Sequence, residues 1–211
     1  MKIRILPERY PFRFLVLSDT HIYHPNPIWP EVFLREAEQT DLILHCGDIC
    51  MLSELEPLRK FAPVYCVRGN RDLRDWFKLP GSVELDIDGF RVRMTHGEGW
   101  IHQYLAIKLY DLNEKRHGRV PDRYRLNALE PNYADYDLCL LGHSHYPSVR
   151  KLGHTVIANP GHMITSRDYD DERPLSFIIG ELTKESLSLR TVILDPDFNI
   201  ASTEEFVCRL A

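Results

Sequence analysis

Six short apolar runs, each closed by a polar residue or glycine, constrain this chain more than any other feature: RFLVLSD, DLILHCGD, APVYCVRGN, FRVRMTHG, YDLCLLGH and HTVIANPG. Each is rich in β-branched and aromatic residues and reads as a strand buried on both faces. Between the first two, WPEVFLREAEQT places Val32, Phe33, Glu36 and Ala37 at helical spacing, and MLSELEPLRKFA offers a second short helix before the third strand. The alternation is β-α-β-α-β, the pattern of a largely parallel sheet.

The middle of the chain changes style. SVELDIDGFRVRMTHG is two alternating strands around Asp88-Gly89, a type I′ hairpin signal, and LSFIIGELTKESLSLRTVIL repeats that grammar around Thr183–Glu185. Two sheets packed face to face are expected, with helices outside: an α/β fold built as a four-layer α-β-β-α sandwich of two mixed β-sheets. With no repeat, low-complexity tract or linker, residues 1–211 are read as one domain. Residues 98–136 are set apart as a helical, basic insertion. Ile101, Tyr104, Leu105, Leu109 and Leu112 mark one helical face, and Lys115, Arg116, Arg119, Arg123 and Arg125 follow it. That basic segment is either a solvated surface or a rim that draws in a phosphorylated substrate.

The remaining bounds are negative. No stretch approaches ~18 consecutive apolar residues and the N-terminus lacks a cleavable apolar segment, so neither a membrane span nor a secretory signal is expected, and a cytoplasmic address follows. Five cysteines is an odd number. Cys46, Cys66 and Cys139 lie inside strand-like runs as reduced thiols would, and Cys46 and Cys50 are too far apart for a CxxC pair. A net charge of −5 argues against an extended nucleic-acid partner. The sequence leaves pairing of chains open.

Five of the apolar runs end in residues able to hold a metal: Asp19 and His21 in SDTH, Asp48 in CGD, Asn70 in RGN, His96 in THG, and His143 with His145 in GHSH. Taken singly, these are ordinary turn residues and helix caps. Their common place at strand ends gives them weight, because loops at the carboxyl ends of parallel strands converge on one crevice. Seven oxygen and nitrogen donors without sulfur suit hard or borderline divalent ions. That number exceeds one tetrahedral site and fits two ions ~3.5–4 Å apart that share a carboxylate. Manganese stands first, with iron, nickel, cobalt or zinc as the other candidates. His45, inside a run, reads as a buried, hydrogen-bonded support of the ligand loop; His24, His102 and His162 remain as possible acids, with His24 and His162 either bordering the crevice or lying at the surface.

The series SDTH, GD, GNRD, HG and GHSH resembles the calcineurin-like metallophosphoesterases, in particular the small bacterial and archaeal phosphodiesterases that share a fold with a retromer subunit. The resemblance runs from about residue 12 to 193, and NPG at Asn159–Gly161 also matches. It implies one metal on Asp19, His21, Asp48 and His145 and a second on Asp48, Asn70, His96 and His143, with Asp48 as the bridge. It also implies hydrolysis of a phosphoester by a metal-bridging hydroxide, with Asp48, Asn70, Arg71 and His96 as the catalytic set. Asn70 and Arg71 would bind a small phosphorylated substrate, a diester by preference. A phosphomonoesterase, including a protein phosphatase, and a non-catalytic scaffold of the same fold are the alternatives. One departure matters: where many members carry a histidine after the GN asparagine, this chain has Arg71, which stays charged and cannot act as a general acid. It offers either a phosphate clamp or a salt bridge with Asp72.

Overall fold

The computed structural model describes residues 1–97, 133–163 and 173–210, together with Leu109 and Arg116. Among them two six-stranded sheets face each other. The first holds, in spatial order, β1 (Lys2–Ile5), β5 (Ser82–Ile87), β6 (Phe90–Thr95), β7 (Leu138–Leu140), β9 (Thr155–Pro160) and β8 (Pro147–Leu152). The second holds β12 (Ile200–Arg209), β11 (Ser186–Leu194), β10 (Leu175–Leu182), β2 (Phe12–Leu17), β3 (Leu42–His45) and β4 (Val64–Cys66). Both sheets are mixed. β2, β3 and β4 run parallel, as do β6, β7 and β9, while β10 and β11 form an antiparallel hairpin.

The continuous apolar runs follow from this layering. In β2, Phe12, Phe14 and Val16 point between the sheets and join Leu42, Leu44, Val83, Leu85, Val92, Leu138 and Ile178 in the central core. Leu15 and Leu17 alternate to the other face and pack under Phe33, Ala37, Leu55 and Leu58. A strand covered on both sides has no polar face to show, so alternation disappears from the sequence.

The covering layer on the second sheet is thinner than its sequence suggests. The expected first helix is α1 (Glu31–Ala37), of 7 residues, with Phe33 and Ala37 buried. The expected second helix is a 3₁₀ segment, Leu52–Lys60, with Pro57 inside it. Proline donates no backbone hydrogen bond and its ring crowds the preceding turn, which disfavours a regular α-helix there. Outside the first sheet lies a 3₁₀ turn at Tyr133–Asp135; its Tyr133 and the following Tyr136 pack on Cys139, Leu141 and Ile157. The insertion expected at 98–136 otherwise lies outside the described residues.

Both hairpins form where expected. The first turns at Asp88 (φ 50°) and Gly89 (φ 91°), the left-handed pair that a type I′ turn requires. The N-terminal segment adds β1 beside β5 in parallel, and the acidic tail adds β12 beside β11. None of the five cysteines forms a disulfide. Among the described residues, no helix is long and apolar enough to cross a membrane.

Candidate metal centre

β2, β3 and β4 of one sheet and β6, β7 and β9 of the other deliver their carboxyl ends to the same edge of the sandwich. Backbone hydrogen bonds lock the emerging loops together: Asp19 N–H donates to Gly47 O at 2.9 Å, His21 N–H to Asp48 O at 3.1 Å, and Gly142 N–H to His96 O at 3.2 Å. Loops of the two sheets are joined through backbone, Met163 N–H donating to Ser18 O at 3.0 Å, and through a side chain, the His143 N–H donating to Asp19 Oδ2 at 3.0 Å.

Asp19, His21, Asp48, His96 and His145 are buried, and Asn70 and His143 are partly buried. Five of these seven, Asp19, His21, Asp48, His143 and His145, have left-handed backbone with φ between 45° and 67°. Asp and His tolerate that region better than most residues, but a concentration of such positions marks a place where geometry is set by the surroundings. Two glycines allow the loops to close. A Cβ on Gly69 would collide with the Asp48 carboxylate and backbone, and one on Gly142 with Ser18 Oγ and the Cys46 carbonyl oxygen.

Two three-residue groups result, Asp19 with His21 and His145, and Asp19 with Asp48 and His96, each offering ligand atoms within 4.8 Å of one another. Asp19 belongs to both. Its Oδ1 lies 3.2 Å from His145 Nε2, 3.8 Å from His96 Nε2 and 3.9 Å from His21 Nε2, and Asp48 Oδ2 lies 3.4 Å from His96 Nε2. Asp19 Oδ1 is buried yet accepts no well-aligned hydrogen bond. A buried carboxylate oxygen left so is costly, and a divalent cation relieves it. The donor set of oxygen and imidazole nitrogen therefore fits such an ion. Asn70 and His143 adjoin the second group, with His143 Nδ1 3.1 Å from Asn70 Oδ1 and the His143 ring 5.2 Å from that of His96.

Ionisation suits ligation. Burial alone would raise the Asp19 carboxyl, but His96, His145 and the Ser18 hydroxyl, which donates to Oδ2 at 2.6 Å, outweigh it and hold it well below the usual carboxylate range. The Asp48 carboxyl is likewise lowered: His96 and the Arg71 backbone N–H, at 2.7 Å from Oδ1, overcome the effect of burial. Burial pushes the His21 imidazole down to about 4, against the pull of Asp19 and Asp48. Near neutral pH the carboxylates are charged and His21 is neutral, the state a metal requires.

Several supporting residues were not legible beforehand. Asp72 is buried, and its carboxylate accepts four backbone N–H bonds: from Ile49 and Cys50 at 2.7 Å each, Gly69 at 2.8 Å and Asp48 at 3.0 Å. It sits inside the quoted GNRD motif, but nothing in its spacing reveals four donors from two loops. Asn159, by contrast, lies in the NPG that stands out in the sequence; it donates to Gly142 O at 2.7 Å and steadies the GHSH loop. Arg173 donates to Ser144 O at 2.9 Å and reaches His145 Nδ1 at 2.9 Å, a contact with no sequence signal at all. His45 supports the loop as expected: it accepts the Gly47 N–H on Nδ1 at 3.1 Å and meets Thr20 Oγ1 with Nε2 at 3.0 Å. His162 takes neither of the two places expected for it, the surface or the border of the crevice, but is fully buried behind the site, with its ring 5.2 Å from that of His145. Arg71 is exposed beside the site, hydrogen-bonded to Tyr23 and close enough to His21 to act on its charge.

The sequence profile of the calcineurin-like phosphoesterase superfamily domain matches residues 12–185. A "probable metallophosphoesterase" of Methanothermobacter thermautotrophicus is 32% identical over 166 residues, covering 79% of this chain and 86% of that protein. Among solved structures, Vps29 of Chaetomium thermophilum superposes with a TM-score of 0.70 at 18% identity, over 94% of this chain and 97% of its own. Vps29 of Entamoeba histolytica, solved in complex with zinc, gives 0.62 at 21% identity, over 94% and 99%. At these identities the Vps29 structures speak for the fold.

Proposed function

This chain belongs to the calcineurin-like phosphoesterase superfamily, and from that membership we propose that it is a dinuclear metal-dependent phosphoesterase acting on small phosphodiesters. The observation that carries the reading is the meeting of two ligand groups at Asp19, drawn from both sheets. Asp19, His21 and His145 would hold one divalent cation. Asp48, Asn70, His96 and His143 would hold the other, and Asp48, the bridge in the family's pattern, stands beside Asp19, which the two groups share. Manganese is the first candidate, and the zinc bound by the Entamoeba histolytica Vps29 keeps zinc among the others.

When bound, such a pair supplies a water of lowered pKa and positive charge for the phosphoryl oxygens. The protein supplies orientation. The His96 Nδ1–H donates to Cys46 O at 2.7 Å, which fixes the ring and leaves the Nε2 lone pair facing Asp48. Asp72 ties the Asp48 loop to the Asn70 loop, so the donors of the second group are placed before any ion arrives. Asp72 is committed to backbone donors, whereas the exposed Arg71 guanidinium offers a planar fork to a phosphate oxygen at the site. Because Arg71 donates no proton near neutral pH, esters with poor leaving groups turn over slowly. A cytoplasmic address is part of this proposal.

The test compares a chromogenic phosphodiester with its monoester in the presence of manganese and of each alternative ion. Faster cleavage of the diester is expected. Faster cleavage of the monoester would move the assignment to a phosphomonoesterase, and no cleavage of either by metal-loaded protein would overturn it. A second reading, a protein-interaction scaffold, takes support from the fold shared with Vps29. Protein that retains no transition metal after supplementation and dialysis would favour it.

A further inference from the structure

The two ligand groups differ in where their protons sit. In the group of Asp19, Asp48 and His96, the Nδ1 of His96 faces the Cys46 carbonyl oxygen at 2.7 Å. A carbonyl only accepts, so the proton is on Nδ1 and Nε2 keeps its lone pair toward the carboxylates. His145 is held the opposite way. Its Nδ1 faces the Arg173 guanidinium at 2.9 Å, and a guanidinium only donates. In the neutral ring the proton is then on Nε2, which lies 3.2 Å from His21 Nε2 and 3.2 Å from Asp19 Oδ1. That N–H stands among the lone pairs that an ion in this group would need.

Arg173 is well fastened in this position. Its other terminal nitrogen donates to Ser144 O at 2.9 Å, and its guanidinium carbon lies 5.3 Å from the centre of the Tyr146 ring. All three anchors, Ser144, His145 and Tyr146, belong to the loop that delivers the GHSH histidines. For His145 to become a ligand through Nε2, its proton must pass to Nδ1, where it would point at a group that cannot accept it. The guanidinium must withdraw, and its positive charge also opposes a cation on the far side of the ring.

We propose that Arg173 is a positioning residue that latches His145 in a tautomer unable to bind metal, so that the two ions load in order. The first enters at the group of Asp48, Asn70, His96 and His143 beside Asp19, where the donors are already set. The second enters at Asp19, His21 and His145, more weakly, once Arg173 has let go. This proposal rests on the metal-centre reading above and adds to it an inequality between the sites.

Calorimetric titration of the metal-free protein with manganese tests it, with long-range proton–nitrogen NMR of the imidazoles as the second measurement. Wild-type protein is expected to bind two ions with separated affinities, and its metal-free spectrum to show Nε2–H for His145 and Nδ1–H for His96. Arg173→Gln places a carbonyl oxygen where it can accept an Nδ1–H, so the weaker event is expected to tighten by about tenfold or more, within the range known for residues behind metal ligands. The tighter event should be unchanged. Arg173→Lys keeps a donor and should keep the weak event weak; the thermal melt of each variant establishes that it is folded. Two equal sites in the wild type, an Nδ1–H tautomer for His145, or loss of the second event in Arg173→Gln would overturn the latch while leaving the metal centre standing. A wild-type protein that binds no ion would overturn both.

Discussion

Asp72 accepts the backbone N–H of Asp48 at 3.0 Å, so a residue that touches no expected substrate position holds the loop that presents the central carboxylate. The same Oδ2 accepts Gly69 N–H at 2.8 Å, and Oδ1 accepts Ile49 and Cys50 at 2.7 Å each. Asp72→Asn keeps one acceptor oxygen and turns an NH₂ toward two of the four donors. Burying those donors unsatisfied costs about 1–3 kcal/mol each. A chemical-denaturation midpoint lowered by the equivalent of at least about 2 kcal/mol is expected, together with weakened metal binding. An unchanged midpoint would show that water or a loop shift replaces the carboxylate.

A methyl group has no room at Gly142. Its Cβ would overlap Ser18 Oγ and approach the Cys46 carbonyl oxygen at 2.8 Å and Asp19 Oδ2 at 3.0 Å, two of the three being rigid parts of the site. Overpacking of this kind costs typically ~1–3 kcal/mol and displaces neighbours. Gly142→Ala should therefore lower both thermal stability and manganese affinity. Gly153→Ala is the control: it also carries a positive φ, of 64°, but meets nothing within 4 Å, so it should lower stability modestly and leave metal affinity alone.

Acid sensitivity of the metal-free protein follows from two buried imidazoles. Burial holds His21 at about 4 and His45 at about 3, whereas an unfolded histidine titrates near ~6.5. Between those values the unfolded chain binds more protons than the folded one, so stability rises with pH in this window. It is complete above about pH 6.5 and falls as pH drops, by up to ~1.4 kcal/mol per pH unit for each ring. Asp19 and Asp48, whose carboxyls are lowered, begin to contribute a loss only below about pH 4. Urea midpoints of chelated protein at pH 7.5 and pH 5 check this, and His45→Gln should flatten the difference. Equal midpoints for the wild type would contradict the depressed values.

How much of this could be read beforehand depends on range. Phe12–Leu17, Leu42–His45 and Leu138–Leu140 announced themselves because strands covered on both faces are apolar without interruption. Asp19, His21, Asp48, Asn70, His96, His143 and His145 stand out in the sequence as candidates because each follows such a run. The 3₁₀ segment at Leu52–Lys60 carries apolar spacing that suits an α-helix, and only Pro57 speaks against one. The strand at Pro147–Leu152 stayed hidden: its burial pattern is intermediate nearly throughout, so neither alternation nor a continuous apolar run marks it. Asp72 and Arg173 lay beyond reach for a different reason. Their partners, Asp48–Cys50 and Ser144–His145, are more than twenty residues away, and no local period encodes such a contact.

The central carboxylate should matter to catalysis far more than to folding. Asp48 occupies left-handed backbone, φ 57°, which asparagine tolerates, and its side chain lies in a group that also contains the Asp19 carboxylate. Asp48→Asn relieves the repulsion with Asp19 but also gives up the attraction of His96, so the two changes largely offset each other in the metal-free state. Activity on a phosphodiester is expected to fall by at least about 100-fold, the upper end of the effect of a residue behind a metal ligand. The metal-free melting temperature should fall only modestly. Equal loss of activity and stability would mark Asp48 as a structural residue.

Arg71 makes the clearest test of how substrate is held, because its backbone and side chain do separate things. The backbone N–H donates to Asp48 Oδ1 at 2.7 Å and is retained in any substitution except proline, so the ligand loop keeps its support. The side chain is exposed beside the site and hydrogen-bonded to Tyr23. Should the guanidinium hold a phosphate oxygen, Arg71→Ala raises KM for a phosphodiester by about tenfold, the order of one charge-assisted hydrogen bond, while manganese affinity stays as it was. Arg71→Lys keeps the charge and loses the fork, so its KM should fall between the two. Arg71→His is the informative third variant, since it introduces a group that can donate a proton near neutral pH. If leaving-group protonation limits the wild type, this variant raises kcat most for substrates with the poorest leaving groups. A kcat that rises equally for all leaving groups, or for none, would place the slow step elsewhere.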